Sequence, residues 1–152
     1  MVPKIMELKG IAKSTTGWDL SVDSKSDKIK IETKKSIRGI IMARSQGPID
    51  YSPMDIFRCL YYKPFKHEWD ANTEHSEFSR KIGVNAYHYY MKSKKKFVVA
   101  SRDFLVNMIF NVEEDGTVII CGSTDNCTLD IPEKPNTIRG KTAMSGWVIA
   151  PS

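Results

Sequence analysis

The sequence predicts one α+β domain built on antiparallel strands, and three observations carry that prediction. Short alternating segments around a polar turn lie near the N-terminus, a well-capped helix stands near the centre, and long strand-like segments fill the second half. That order does not suit the strand–helix alternation of a parallel βαβ fold.

Residues 1–16 form a lead in which a short helix fits through Ala12. The segments Trp18 to Val22 and Lys28 to Lys35 flank the polar turn DSKSD and read as a hairpin. In the second of them Lys28, Lys30, Glu32 and Lys34 alternate with Ile29, Ile31 and Thr33, so one face is expected wet and the other buried. Ile37 to Ala43 continues as a third strand until Gly47 and Pro48 break the pattern.

Ser52, Pro53 and Asp55 together start a helix: a hydroxyl cap, a proline in the first turn and a carboxylate facing free N–H groups. The helix is expected to reach about Tyr62 and to end before Pro64, with Ile56, Phe57, Leu60 and Tyr61 on the face that packs on the sheet. From Glu77 onward the strands AYHYYM, FLVNMIFNV and TVIICGS follow, the last two joined by an EEDG turn, and a final strand spans roughly Ile138 to Ile149. By the two-residue period Tyr87, Tyr89 and Met91 share one face, and His88 and Tyr90 the other.

At 152 residues, 41% hydrophobic and 27% charged, the chain fits one globular domain. No apolar stretch is long enough to span a bilayer, and the opening MVPKIMELKG is too charged for a signal peptide, so a cytoplasmic location is expected. Cys59, Cys121 and Cys127 lack paired CxxC spacing, and His67, His75 and His88 stand apart from them. No metal or cofactor is implied, and the cysteines read as free thiols in a reducing compartment.

The net charge of +5 points to an acidic partner. Much of the excess sits in Lys92 with Lys94, Lys95 and Lys96, and in Lys28, Lys30, Lys34 and Lys35, without the aromatic platform or helical motif of a nucleic-acid binder. An anionic membrane surface therefore fits better than nucleic acid. Catalysis has no evident home: the nearest candidates are His88 and the pair His67 and Glu68, and a lone histidine on a strand is more often structural.

The strings HEWDANTEHSEF, SRDFLVNM, the EEDG hairpin and TIRGKTAMSGWVIAPS, preceded by GWDL and IRGIIMA, resemble the START (StAR-related lipid-transfer) domain family in order and spacing. The resemblance runs from about Gly17 to the end. It implies a helix-grip fold, a curved antiparallel sheet with a central helix that grips a long C-terminal helix, with a lipid between them. Residues 17–152 would form that domain without its last strands and C-terminal lid helix, which are expected after Pro151.

The function implied is non-catalytic binding, and transfer or sensing, of one lipid in an apolar cavity. Two alternatives stay open: a protein-interaction module that has lost its closed pocket, and an enzyme on the helix-grip scaffold. Lys66, three residues before Trp69, falls where phosphatidylcholine-transfer relatives carry an arginine that reaches the lipid phosphate. Cholesterol-binding relatives carry a second arginine six positions after that of the Arg-Asp-Phe motif; Met108 stands there, which favours phospholipid over sterol.

The ligand-facing set is then Lys66, Tyr87, Tyr89, Met91, Met108 and Ile120. Trp69 and Trp147 are expected as buried structural residues, Asp70 as a helix-capping carboxylate, and Arg102 with Asp103 as an internal ion pair. The loop at the cavity mouth would be Lys94, Lys95, Lys96, Phe97 and Val98, cations beside an apolar tip that suits peripheral docking on an anionic membrane. Without a lid, Tyr87, Tyr89, Met108 and Ile120 are expected to be uncovered, so that the isolated chain self-associates or takes a partner chain over its open face.

Overall fold

The computed structural model describes residues 2–36, 39–61 and 66–151. Helix α1 (Val2–Lys13) opens the chain and is followed by the strands β1 (Asp19–Ser24), β2 (Ile29–Lys35) and β3 (Ile41–Gln46), which pair in that order as an antiparallel sheet. The hairpin turns at Lys25 to Lys28, as the polar run between the two alternating segments requires. The third strand lies slightly later than expected, and Ile37 and Arg38, with which it was expected to begin, fall outside the described residues.

Helix α2 (Pro53–Tyr61) begins where the cap places it: the Ser52 hydroxyl oxygen accepts the Asp55 N–H at 3.1 Å, and the hydroxyl donates to the Asp55 carboxylate at 2.6 Å. Its expected end near Tyr62 and Pro64 lies outside the described residues. A single turn, α3 (Lys66–Trp69), leads into the second sheet. That sheet runs β4 (Thr73–Gly83), β5 (Ala86–Ser93), β6 (Ser101–Val112), β7 (Val118–Ser123) and β9 (Ser145–Ile149), all antiparallel, with β8 (Thr137–Arg139) parallel to β6. The EEDG turn forms as expected, with Gly116 at φ 83° and its N–H bonded to the Glu113 carbonyl at 3.0 Å.

The expected final strand is in fact two. Residues 140–144 leave β8, which pairs with β6, and lead to β9, which pairs with β7. Gly140 permits this path, because a Cβ there would collide with the Phe104 ring.

The two faces of the larger sheet are covered by different elements. On the outer face Ile5 and Leu8 of α1 pack on Ile119 and Cys121, joined by Met144 and Val148. Gly146 makes this approach possible, since a Cβ would meet the Ile120 carbonyl oxygen and come within 2.7 Å of Leu8 Cδ2. On the inner face Ile56, Phe57 and Leu60 of α2, three residues of the stripe read in the sequence, pack with Met54 on Val118, Ile120 and Ile149.

Helix α1 also ties the two sheets together. The Arg44 guanidinium donates to the carbonyls of Ile11 at 2.9 Å and Ser14 at 2.6 Å, satisfying free acceptors at the helix C-terminus, and lies 4.2 Å from the Trp18 ring. This arrangement overturns the expected wet and buried faces of β2. Glu32, on the lysine face, is buried between Arg44 at 2.7 Å and Lys30 at 2.6 Å, whereas Ile29 on the opposite face is exposed. The lysine face is roofed by α1, Trp18 and Arg44, so the carboxylate is buried with its charge paired.

Candidate functional site

Strand register decides which side chains meet on the inner face. Tyr87 lies opposite Met108, Tyr89 opposite Val106 and Met91 opposite Phe104; in the next pair Met108 lies opposite Gly122 and Phe110 opposite Ile120. Tyr87, Tyr89, Met91, Met108 and Ile120 therefore share one face, as the period of two implies. Phe78 of β4 joins them opposite Tyr89.

Helix α2 supplies the other wall. Tyr61 stands 4.7 Å from Phe78, 5.6 Å from Phe110 and 6.0 Å from Tyr87 in ring-centroid distance, while Phe57 lies 5.0 Å from Phe110. Tilted and edge-on rings at these distances form a cohesive apolar layer. Burial, followed by the hydrogen bond with Tyr87, pushes the Tyr61 phenol up to about 12, and burial likewise takes Tyr89 to about 12. Neither carries charge at neutral pH.

The expectation that these residues are uncovered does not hold. Tyr89 and Ile120 are buried, and Tyr87, Met91 and Met108 are half-buried; α2 packs on the cluster that holds Ile120 and Met108 and its Tyr61 meets Tyr87, while Phe78 of β4 meets Tyr89. Trp147, opposite Ile120 on this face, stays 48% exposed. The expected burial of Trp147 therefore fails, and so does that of Trp69, which is 46% exposed on α3. A tryptophan's apolar body is no guide to its burial at the last position of a helix or on the outermost strand of a sheet. A cavity of about 30 Å³ lined by Lys4, Asn107, Ile109 and Cys121 lies on the outer side, the size of a water site rather than a lipid site.

At the α3 end the inner face acquires polar groups. Lys66 Nζ lies 3.1 Å from Asp70 Oδ2 and 4.4 Å from the Trp69 ring centroid, so its charge is paired. The Thr73 hydroxyl donates to Asp70 at 2.6 Å and the Asn72 N–H at 3.1 Å. Asp70 thus caps the turn that enters β4. Partial burial works against its charge, yet the bonds from Thr73, Lys66 and Asn72 hold its carboxyl below the usual range.

The expected Arg102–Asp103 pair is replaced by another. Asp103, buried, receives a two-pronged contact from Arg139 at 2.7 and 3.1 Å and the Tyr90 hydroxyl at 3.3 Å, while Arg102 is exposed. Neighbours in a strand point to opposite faces, so Arg102 cannot meet Asp103 on the outer face. The parallel strand β8 instead brings Arg139 level with Asp103. Hydrogen bonding to Asp103 raises the Arg139 pKa still further.

The acid–base candidates do not converge. His88 is buried on the outer face, with Nε2 3.5 Å from the Thr128 hydroxyl, and Glu68 is exposed on α3; the His67 side chain lies outside the described residues. Cys59 is exposed, Cys121 buried and Cys127 half-buried. Among the described residues no group of three His, Cys, Asp or Glu side chains is placed to hold a metal ion.

The lysine run forms a tight hairpin at one end of the sheet. Lys96 and Val99 exchange both backbone bonds, at 3.0 and 2.7 Å, which leaves Phe97 and Val98 alone at the tip. Phe97 is 101% and Val98 84% exposed, and Lys94, Lys95 and Lys96 are exposed behind them. Phenylalanine and valine held in water at a loop tip are energetically unfavourable, and these two are the most exposed neighbouring apolar pair among the described residues.

Comparison with known proteins places these observations in a family. The model of the START domain matches residues 6–152. The fold resembles that of human StAR-related lipid transfer protein 5, with a TM-score of 0.89 at 18% identity over 99% of this chain and 73% of that one. It also resembles human STARD10, with a TM-score of 0.81 at 14% identity over 95% of this chain and 58% of that one. A third likeness is to a STAR-related lipid transfer protein fragment from Xanthomonas axonopodis, with a TM-score of 0.73 at 19% identity, over 90% and 75% of the two chains. No curated protein matches the sequence significantly.

Proposed function

The chain belongs to the START domain family, and from that premise we propose that it binds a single amphipathic lipid non-covalently on the inner face of the larger sheet. The observation that carries the reading is the convergence of Tyr87, Tyr89, Met91, Met108 and Ile120 on one apolar face beneath α2, with Trp147 open beside them. An acyl chain suits such a surface better than a charged ligand does. Phospholipid is favoured over sterol: Met108 offers adaptable apolar contact, and Lys66 supplies a cation that can turn from Asp70 to a phosphate. No cofactor or catalytic step belongs to this reading.

Binding by a carrier or sensor also needs contact with the donor membrane. Lys94, Lys95 and Lys96 would attract anionic headgroups while Phe97 and Val98 insert. Among the described residues no helix is long and apolar enough to cross a membrane, so this contact would be peripheral. Changing Lys94, Lys95 and Lys96 to Glu should greatly reduce sedimentation with phosphatidylserine vesicles at low salt, and unchanged binding would sink the docking idea.

A second reading, a protein-interaction module, draws on the three-stranded sheet. Val22, Ile29 and Ile41 are exposed there on one face, beside the open edge of β3. Native mass spectrometry of the purified chain separates the two. A co-purifying lipid mass supports the carrier, whereas a stoichiometric second protein supports the module.

A further inference from the structure

Three segments far apart in sequence meet at Ser93, the last residue of β5. Thr73, just after α3, pairs with Ser93, and the Lys94 N–H donates to the Asn72 carbonyl at 2.8 Å. From β6 the Ser101 hydroxyl donates to the Ser93 carbonyl at 2.6 Å, and the Arg102 N–H donates to the Ser93 hydroxyl oxygen at 3.0 Å. Arg102 in turn pairs with Ile138 of β8. The α3 turn, the root of the lysine hairpin and β8 are thus fastened at one end of the sheet.

Each of the three segments carries an apolar side chain that the fold leaves open. Phe97 and Val98 form the hairpin tip, Trp69 is 46% exposed and Ile138 is 51% exposed. Trp69 is held from below, since the Lys66 ammonium lies over its ring and pairs with Asp70. An indole fixed by a cation, with half its surface in water, has the form of side chains enriched at membrane interfaces.

Charge agrees with this. Lys94, Lys95, Lys96 and Arg102 are exposed at this end, against the exposed acids Glu68 and Glu133, while Glu74 is spent on Lys92 at 2.7 Å. The exposed charge at this end of the sheet is net positive, which suits a negatively charged lipid surface.

We propose that Trp69 and Ile138 join Phe97 and Val98 in one three-point surface that inserts into an anionic membrane interface. The proposal rests on the docking reading of the hairpin and adds what that reading lacks, an orientation. A single loop can pivot about its tip. Three anchors around Ser93 instead seat the end of the sheet on the membrane, with the Lys66–Asp70 corner of the inner face turned toward the headgroups.

The test is co-sedimentation of the 152-residue chain with phosphatidylcholine vesicles, with and without phosphatidylserine, for the parent and for W69A, I138S and F97S. Each variant changes an exposed side chain, so circular dichroism melts should stay near the parent's. Each should bind phosphatidylserine vesicles about ten-fold more weakly, in line with the apolar area withdrawn from the interface. In parallel, W69F should lose most of the blue shift in tryptophan emission that vesicles induce in the parent.

If F97S weakens binding while W69A and I138S bind as the parent does, docking is confined to the hairpin and the three-point surface is wrong. If the parent itself ignores phosphatidylserine vesicles, the docking reading fails and takes this proposal with it. Should W69A not fold, W69F decides: an undiminished blue shift overturns the role of Trp69.

Discussion

Asp103 holds Arg139 and Tyr90 together on the outer face of the larger sheet. It is buried, and its oxygens are met by Arg139 and Tyr90. Removing the carboxylate leaves a guanidinium without its partner in a half-buried position, so D103A should destabilise the fold by about 3–5 kcal/mol in urea titration. R102A, which alters an exposed side chain, should stay within about 0.5 kcal/mol. Equal losses in the two variants would show that the pairing read from β8 is wrong.

Asp70 adds a pH dependence at the same scale. Its carboxyl is held below the usual range despite partial burial, by bonds from Thr73, Lys66 and Asn72. A carboxyl whose folded pKa is depressed contributes stability that is fully present above its unfolded value, about 3.9, and is lost as pH falls through the folded one. The parent should therefore lose stability relative to D70N as pH drops below about 4, the two converging in acid. A constant gap between their melting temperatures down that range would remove Asp70 from the account.

Among the elements, α1 depends on a residue in another element. Ile5 and Leu8 reach Ile119 and Cys121 only because Gly146 of β9 has no side chain. G146A places a methyl group against the Ile120 carbonyl oxygen and Leu8, which forces α1 outward or bends β9. The expected cost is about 1–3 kcal/mol, with hydrogen-exchange protection falling first in α1. Protection lost evenly over the whole chain would place the glycine's role elsewhere. Helix α2 shows the opposite dependence: its cap at Ser52 and its apolar stripe are local properties, and both appear as the sequence predicts.

At the scale of the molecule, the two sheets are joined by α1 and differ in how well they are covered. The larger sheet is covered on its inner face by α2, so association through Tyr89 or Ile120 is not expected. Apart from the hairpin end of the larger sheet, open apolar surface includes Trp147 on β9 and the Val22, Ile29 and Ile41 face of the smaller sheet, where Ile41 is 72% exposed. Apolar area left in water costs about 25 cal/mol per Å² and drives association. The 152-residue chain should accordingly show concentration-dependent sedimentation, reduced in I41K. A stable monomer at all concentrations without ligand would mean that this surface is tolerated.

The sequence by itself determined the periodic and local features: the early hairpin, the capped helix, the EEDG turn and the shared face of Tyr87, Tyr89 and Met91. These follow from backbone geometry, in which side chains alternate across a strand and recur along a helix whatever lies nearby. The START motifs added the family. Only the tertiary structure decided which faces were covered. Glu32 is buried because Arg44 and the end of α1 lie over it, and Asp103 is paired with Arg139 because a short parallel strand arrives from 36 residues away. Trp69 and Trp147 stay half exposed because one ends a four-residue helix and the other lies on the outermost strand of its sheet. Burial is a property of what packs across from a residue, and periodicity names the face without naming its neighbour.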